Sequence, residues 1–404
     1  MKFPSNCDVD VVGRSLAGDS DERTLLTQAL AQPLDAPNFE TFLAGARSPL
    51  VVVNDATRST PTEAMLQSIL PQLTQAPNWR VIVAAGLHRA PKESELHRIF
   101  GRLLDQVRDR LIIHNGYDQS SLAQWDLGDG PVFVNQAVRD ADRLILLNSV
   151  EPHFFAGYTG GRKSIVPGLA GRDTVERSHS GAVHSEAAPL RVAGNPVREY
   201  IHKNTMFIER ERIWGIQTIL DSRERLAAAF AGDIDKTFQA ACTAAQKYYV
   251  RVVSHRYDIV LAAVYPPLDV NLYQTQKGWE LSQTAVKDKG ALVVTSSCTE
   301  GVGSPFYAAL SETFPNKAEW ISLAERPYTM GLHKLVRTGR LRSRVRLLAA
   351  TGMPAQEVAR YGYDAYSKVQ DAVDAAIAHV GLPARVLVVE DAALTTVTLA
   401  DGVR

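Results

Sequence analysis

The chain has 404 residues, 45% hydrophobic and 22% charged, a balance that supports a sizeable core and, at roughly 100–200 residues per domain, two domains. Its 44 Lys+Arg cancel its 44 Asp+Glu, which argues against nucleic acid or an anionic membrane as the main partner and leaves local basic pockets open. Cys7, Cys242 and Cys298 lie far apart and form no CxxC pair or disulfide framework, as expected of a protein kept in a reducing compartment.

The opening stretch, MKFPSNCDVDVVGRSLAGDS, lacks the apolar core of a secretory signal, and no stretch approaches the ~20 apolar residues that span a bilayer, so a cytoplasmic location is expected. Short β-branched runs predict strands over Leu50–Val53, Arg80–Ala84, Leu111–His114, Arg143–Leu147, Asp258–Ala263, Ala291–Thr295 and Arg385–Glu390. Helical patterns cover Thr62–Leu73, Glu93–Phe100, Asp235–Val250, Gly278–Val286 and Ala355–Val369, with Thr60 a candidate N-cap for the first. The alternation predicts an α/β fold of two layered domains with mainly parallel sheets and a cleft between them. The expected division is 1–250, completed by 386–404, and 251–385.

Five segments carry candidate chemistry. Asn54–Thr62 follows a strand and opens a helix, where free backbone N–H groups bind anions and Thr57, Arg58, Ser59 and Thr60 add donors; it also fits a plain capped turn. His88, in Ala85–Pro91, sits where a parallel strand ends, the usual place for an α/β active site. The segment Glu151–Gly171 sets Gly157, Gly160, Gly161, Gly168 and Gly171 among His153, Thr159, Arg162, Lys163 and Ser164, more than a simple turn requires, yet it has neither GxxxxGK[ST] nor GxGxxG. His179 and His184 are not spaced to share a helix face, so a two-histidine zinc site is disfavoured while a single ligand remains open. Tyr273, Gln274 and Lys277 at i, i+1 and i+4 can offer a hydroxyl, an amide and a cation to a carboxylate, although the segment also reads as an ordinary amphipathic helix start.

EPHFFAGYTGGRKSIVPG resembles the signature loop of the lactate racemase family of nickel-pincer-nucleotide enzymes, and the likeness continues in order through DATRSTPT, GLHRAP, the downstream SH, GNPVRE and YQTQK. The resemblance implies two α/β domains with the active site between them. It also implies a pyridinium mononucleotide cofactor with two sulfur-bearing arms and a nickel–carbon bond. By motif, Lys163 is similar to the lysine that tethers the cofactor, and His179 to the histidine that completes the nickel coordination. His88 and His153 resemble the two catalytic bases. Asp55, Thr57, Arg58, Ser59 and Thr60, with Gly160, Gly161 and Arg162, fall at cofactor-binding positions; Arg58, Tyr273, Gln274 and Lys277 fall where a substrate carboxylate or the cofactor phosphate is held.

The implied reaction inverts C2 of a small 2-hydroxy acid by reversible hydride transfer through a 2-keto acid, with one histidine per hand of substrate. Removal of hydrogen as a proton would leave a carbanion beside an ionised carboxylate, whereas hydride transfer avoids that charge. Cofactor-biosynthesis proteins are the implied loading partners. One departure is notable: the archetype's second-domain tryptophan has no counterpart in Gly331–Arg337, which favours malate, a longer aliphatic or aryl hydroxy acid, or a sugar acid over lactate. A zinc hydrolase and a non-catalytic phosphate- or nucleotide-binding protein are the competing readings, and the absence of HExxH weakens the first.

Overall fold

The computed structural model describes residues 1–17, 21–128 and 130–400. Its elements used below are, in chain order, β1 (Cys7–Val12), β2 (Leu50–Asn54), α1 (Thr62–Leu73), β3 (Arg80–Ala84), β4 (Leu111–Ile113), β5 (Leu144–Ser149), α2 (Arg172–Ser180), β6 (Ile213–Leu220), β7 (Leu226–Gly232), α3 (Ile234–Tyr249), β8 (Tyr257–Ala263), α4 (Leu272–Ser282), β9 (Val286–Ser296), α5 (Leu332–Arg342), β10 (Arg346–Thr351), β11 (Asp364–Tyr366), α6 (Val369–Val380) and β12 (Ala384–Val389).

The first sheet runs β7-β6-β5-β2-β3-β4, parallel throughout except for the β6/β7 hairpin. Strands β2 and β5 are apolar on both faces because both are covered, the usual state of a parallel sheet. One face packs on Met65, Leu66, Ile69 and Leu73 of α1. The other packs on Ile165, Val166 and Leu169, so the glycine-rich segment is part of the core and not a surface loop. Full burial of one such aliphatic side chain stabilises by about 1.5–3 kcal/mol, which ties the segment to the sheet at several points.

The second sheet runs β1-β12-β8-β9-β10-β11 and is parallel throughout. This corrects the expected division. The C-terminal strand does not complete the first unit: β12 lies inside the second sheet, with Val386 opposite Val9 on one side and Ile259 on the other. Its apolar run needs two covered faces, and the gap between β1 and β8 supplies them. Residues 396–399 then pair with Val250–Val253; residues 401–404 of the expected segment lie outside the described residues.

Two helix expectations also shift. The pattern over Ala355–Val369 is broken: the helix stops at Ala359, Gly362 takes φ +89°, β11 follows, and α6 starts at Val369. The helix expected over Gly278–Val286 starts at Leu272, where the Asn271 side chain accepts from the Gln274 N–H, and Val286 already belongs to β9. Helix α1 matches its expected span, but its N-cap residue is Pro61 and not Thr60. No helix among the described residues is long and apolar enough to cross a membrane.

Because β12 separates β1 from β8, a chain truncated after residue 383 should lose cooperative thermal unfolding of the second sheet, whereas one truncated after residue 400 should keep it. Circular dichroism on the two truncations distinguishes these outcomes, and an unchanged transition in the shorter one would make β12 dispensable.

Candidate active site

The carboxyl ends of β2, β3 and β5 deliver the first half of the site. Asp55, just after β2, lies 2.7 Å through Oδ2 from His88 Nδ1 and accepts from the Thr57 hydroxyl at 2.7 Å. Burial works to raise the Asp55 carboxyl, but His88, Thr57 and Arg58 outweigh it and hold it at about 2. An ionised carboxylate only accepts, so His88 Nδ1 donates, and a neutral His88 carries its lone pair on Nε2. The His88 side chain is about half exposed.

After β5 the chain makes a small hairpin, Pro152–His153 against Gly157–Tyr158, and then a tight turn through Gly161–Ser164. His153 is buried, with ring centroids 5.1 Å from Phe154 and 4.5 Å from Phe155. Burial, then the charges of Lys163, Arg58, Lys277 and His179, push its pKa well below the ordinary histidine value. The Ala156 N–H donates to His153 Nδ1 at 3.3 Å, so the neutral ring carries its proton on Nε2. Arg58 reaches Glu151 at 3.4 Å.

Burial lowers the Lys163 ammonium to about 7, with Arg58 and Arg198 adding to the effect and Asp55 and Glu151 opposing it. Among the described residues its Nζ has no hydrogen-bond or ion-pair partner. His179, near the end of α2, ties Nδ1 to the Val175 carbonyl at 2.9 Å and leaves Nε2 free. Burial, then Lys163, lowers its pKa to about 3, so its imidazole is neutral near pH 7.

The second half comes from α4 and α5. Tyr273 is half-buried, and Gln274 and Lys277 are buried; Gln274 Oε1 has no partner. Burial, then Arg58 and Lys334, push the Lys277 ammonium well below its ordinary value. Lys334 donates to the Tyr273 carbonyl at 2.8 Å and lies 4.2 Å from that ring's centroid. Arg337 forks onto Glu280 at 2.6 and 2.7 Å and reaches the carbonyls of Phe154, Ala182 and Ala187 at 3.0–3.3 Å, which joins the two halves.

The structure thus brings Asp55, Arg58, His88, His153, Lys163, His179 and Lys277 into one electrostatic neighbourhood. Others among the expected residues have partners within the protein. Arg162 forks onto Asp235 of α3 at 2.9 Å. Gly160 and Gly161, at φ +78° and +59°, are glycine because a Cβ would meet Val150 and Gln217 in one case and Phe238 in the other. The Gly161 N–H already donates to Gln217 at 2.9 Å. The hydroxyls of Ser59 and Thr60 are bonded to Glu224 and Ser149.

Sequence reasoning assigned no role to Glu280, His333, Lys334 and Arg337, because α4 and α5 are rich in polar residues and the sequence does not mark which of them are buried. The residues present suit the implied cofactor: a free amine at Lys163, a free imidazole nitrogen at His179, and Lys163 and Lys277 without carboxylate partners in a pocket that favours anions. Among the described residues no three His, Cys, Asp or Glu side chains converge as a protein-only metal site requires, which counts against the zinc hydrolase.

Lys163 titrates near 7 when folded, against 10.5 for its unperturbed value, so the unfolded chain holds this proton across that window and folding is favoured more as pH rises through it. At pH 7–8 in unloaded protein, Lys163 should therefore be acylated ahead of the exposed lysines, as peptide mass mapping would reveal. Arg337→Met strands buried Glu280 and should destabilise by about 3–5 kcal/mol; adding Glu280→Leu should recover most of it in thermal unfolding.

Residues 2–190 match the lactate racemase N-terminal domain and residues 252–397 the lactate racemase C-terminal domain. The lactate racemase of Lactiplantibacillus plantarum is 29% identical over 303 residues, 72% of this chain and 70% of that one. That of Thermoanaerobacterium thermosaccharolyticum is 26% identical over 313 residues, 74% and 72% of the two chains. The solved lactate racemase apoprotein from T. thermosaccharolyticum superposes with a TM-score of 0.88 at 21% identity, covering 98% of this chain and 97% of its own. A Thermotoga maritima protein shares the fold at a TM-score of 0.73 and 15% identity, over 95% of this chain and all of its own. With both domain families matched in order across most of its length, the chain belongs to the lactate racemase family.

Proposed function

We propose that the chain is a racemase or epimerase that inverts C2 of a small 2-hydroxy acid, the class to which the substrate named for its lactate racemase relatives belongs. The reading rests on one observation: a partnerless amine and a free imidazole nitrogen, Lys163 and His179, share a pocket with two histidines held in opposite proton arrangements.

In this reading Lys163 would hold a nickel-pincer nucleotide covalently and His179 Nε2 would serve its nickel. When bound, the group supplies a reversible acceptor for the C2 hydride. Arg58 and Lys277 hold the substrate carboxylate, and Tyr273 and Gln274 line the same side. His88, oriented by Asp55, takes the hydroxyl proton as the hydride departs, leaving a planar 2-keto acid. His153 faces the oxygen with an N–H and steadies it. For the opposite hand the roles exchange, and His153 must move its proton to Nδ1. The Ala156 contact opposing this is long, at 3.3 Å, and therefore weak. Asp55, Thr57, Ser59 and Thr60 shape the cofactor-side wall. Loading by cofactor-biosynthesis proteins, and a cytoplasmic location where they would act, complete the proposal.

Protein produced together with the cofactor-making machinery should contain nickel and sulfur, carry a mass increment on the Lys163 peptide, and invert a 2-hydroxy acid. Lys163→Ala should retain neither metal nor increment. His153→Ala should keep both and lose about 10²–10⁴-fold in turnover. Normal nickel content in the lysine variant would refute the tether, and undiminished turnover in the histidine variant would reassign the base.

A further inference from the structure

His333 has no role in the chemistry above, yet it is fully buried at the second-domain wall of the same pocket. Its ring centroid lies 5.3 Å from Phe155, 5.9 Å from His179 and 6.3 Å from Phe154. Nδ1 lies 2.7 Å from the Tyr328 hydroxyl, and Nε2 has no partner. That hydroxyl also accepts from the Gly331 backbone N–H and otherwise meets only the Met330 sulfur at 3.9 Å, a weak acceptor, so the hydroxyl proton goes to Nδ1 and the imidazole proton sits on Nε2. The result is a fixed N–H donor with no acceptor. Such a group is costly when left unpaired and is satisfied when a ligand brings it an acceptor.

Two neighbours indicate which ligand. Lys334, the next residue, donates to the Tyr273 carbonyl, so His333 is fastened to the helix that carries Tyr273, Gln274 and Lys277. Its ring therefore stands where that helix meets Phe154 and Phe155, the residues that flank His153. Lys334 and Arg337 are the cations nearest it, and only Arg337 is matched by a carboxylate, Glu280. The surplus positive charge favours an oxygen acceptor.

We propose that His333 is a specificity-determining donor whose Nε2–H binds an oxygen on the C2 substituent, so that this chain acts on 2-hydroxy acids bearing a second oxygen group beyond the reacting carbon. This rests on the racemase reading. A C3 hydroxyl and a second carboxylate share the needed chemistry, and glycerate and malate separate them.

The test compares 2-hydroxybutyrate, glycerate and malate with wild type, His333→Phe and His333→Gln. Inversion is followed on holoenzyme, and binding to unloaded protein by calorimetry. Wild type should favour glycerate or malate over 2-hydroxybutyrate by at least about tenfold in kcat/KM and in Kd. In His333→Phe that ratio should collapse toward one, chiefly through KM. His333→Gln, which keeps an N–H donor, should restore much of it. Preference for 2-hydroxybutyrate in the wild type, an equal loss on all acids in the Phe variant, or loss of nickel from that variant would each overturn the proposal. Binding selectivity that depends on His333 without any inversion would instead sink the racemase reading and leave His333 as a ligand donor.

Discussion

Cationic side chains crowd one pocket with too few carboxylates to match them. Arg58 has Glu151, but Lys163 and Lys277 have no acidic partner among the described residues, and Lys334 is held by a backbone carbonyl. Burial and mutual repulsion push the lysine ammonium groups toward neutrality. The protein therefore holds in reserve a favourable energy that only an incoming anion releases. A substrate carboxylate and a nucleotide phosphate are both anions, and an uncharged lysine is also a competent nucleophile. One electrostatic arrangement thus serves recognition and covalent attachment together.

The scaffold maintains that arrangement against its own repulsion. The ends of β2, β3 and β5 are fixed by a sheet buried on both faces. The opposing wall is attached through Arg337, whose guanidinium bridges Glu280 and the backbone beside His153. The pairing of a carboxylate with one histidine and a backbone amide with the other gives the two rings unequal resting proton states. That inequality is a property of the neighbours, since the residue type is the same.

Much of this was legible in the sequence. The strands at Leu50, Arg80, Asp258 and Arg385 were visible as β-branched runs between polar turns, and the glycine-rich segment announced itself by composition. Three features were not legible. The sheet that accepts β12 depends on which edge is left open, and periodicity does not encode that. The side to which Arg162 turns depends on Asp235, far along the chain. The link between Asp55 and His88 joins two loops that meet only because β2 and β3 are neighbours. Local pattern reports what an element is, whereas charge pairing across strands emerges only when the sheets assemble.

The position of β1 and β12 side by side gives the molecule a particular order of assembly. In the order of synthesis β1 comes before the strands of the first sheet and its partner β12 after all of them. The whole first sheet, with Lys163 and His179, is complete well before the second can close. The half proposed to carry the prosthetic group thus has all its strands in the chain before the half proposed to select the substrate can pair its own.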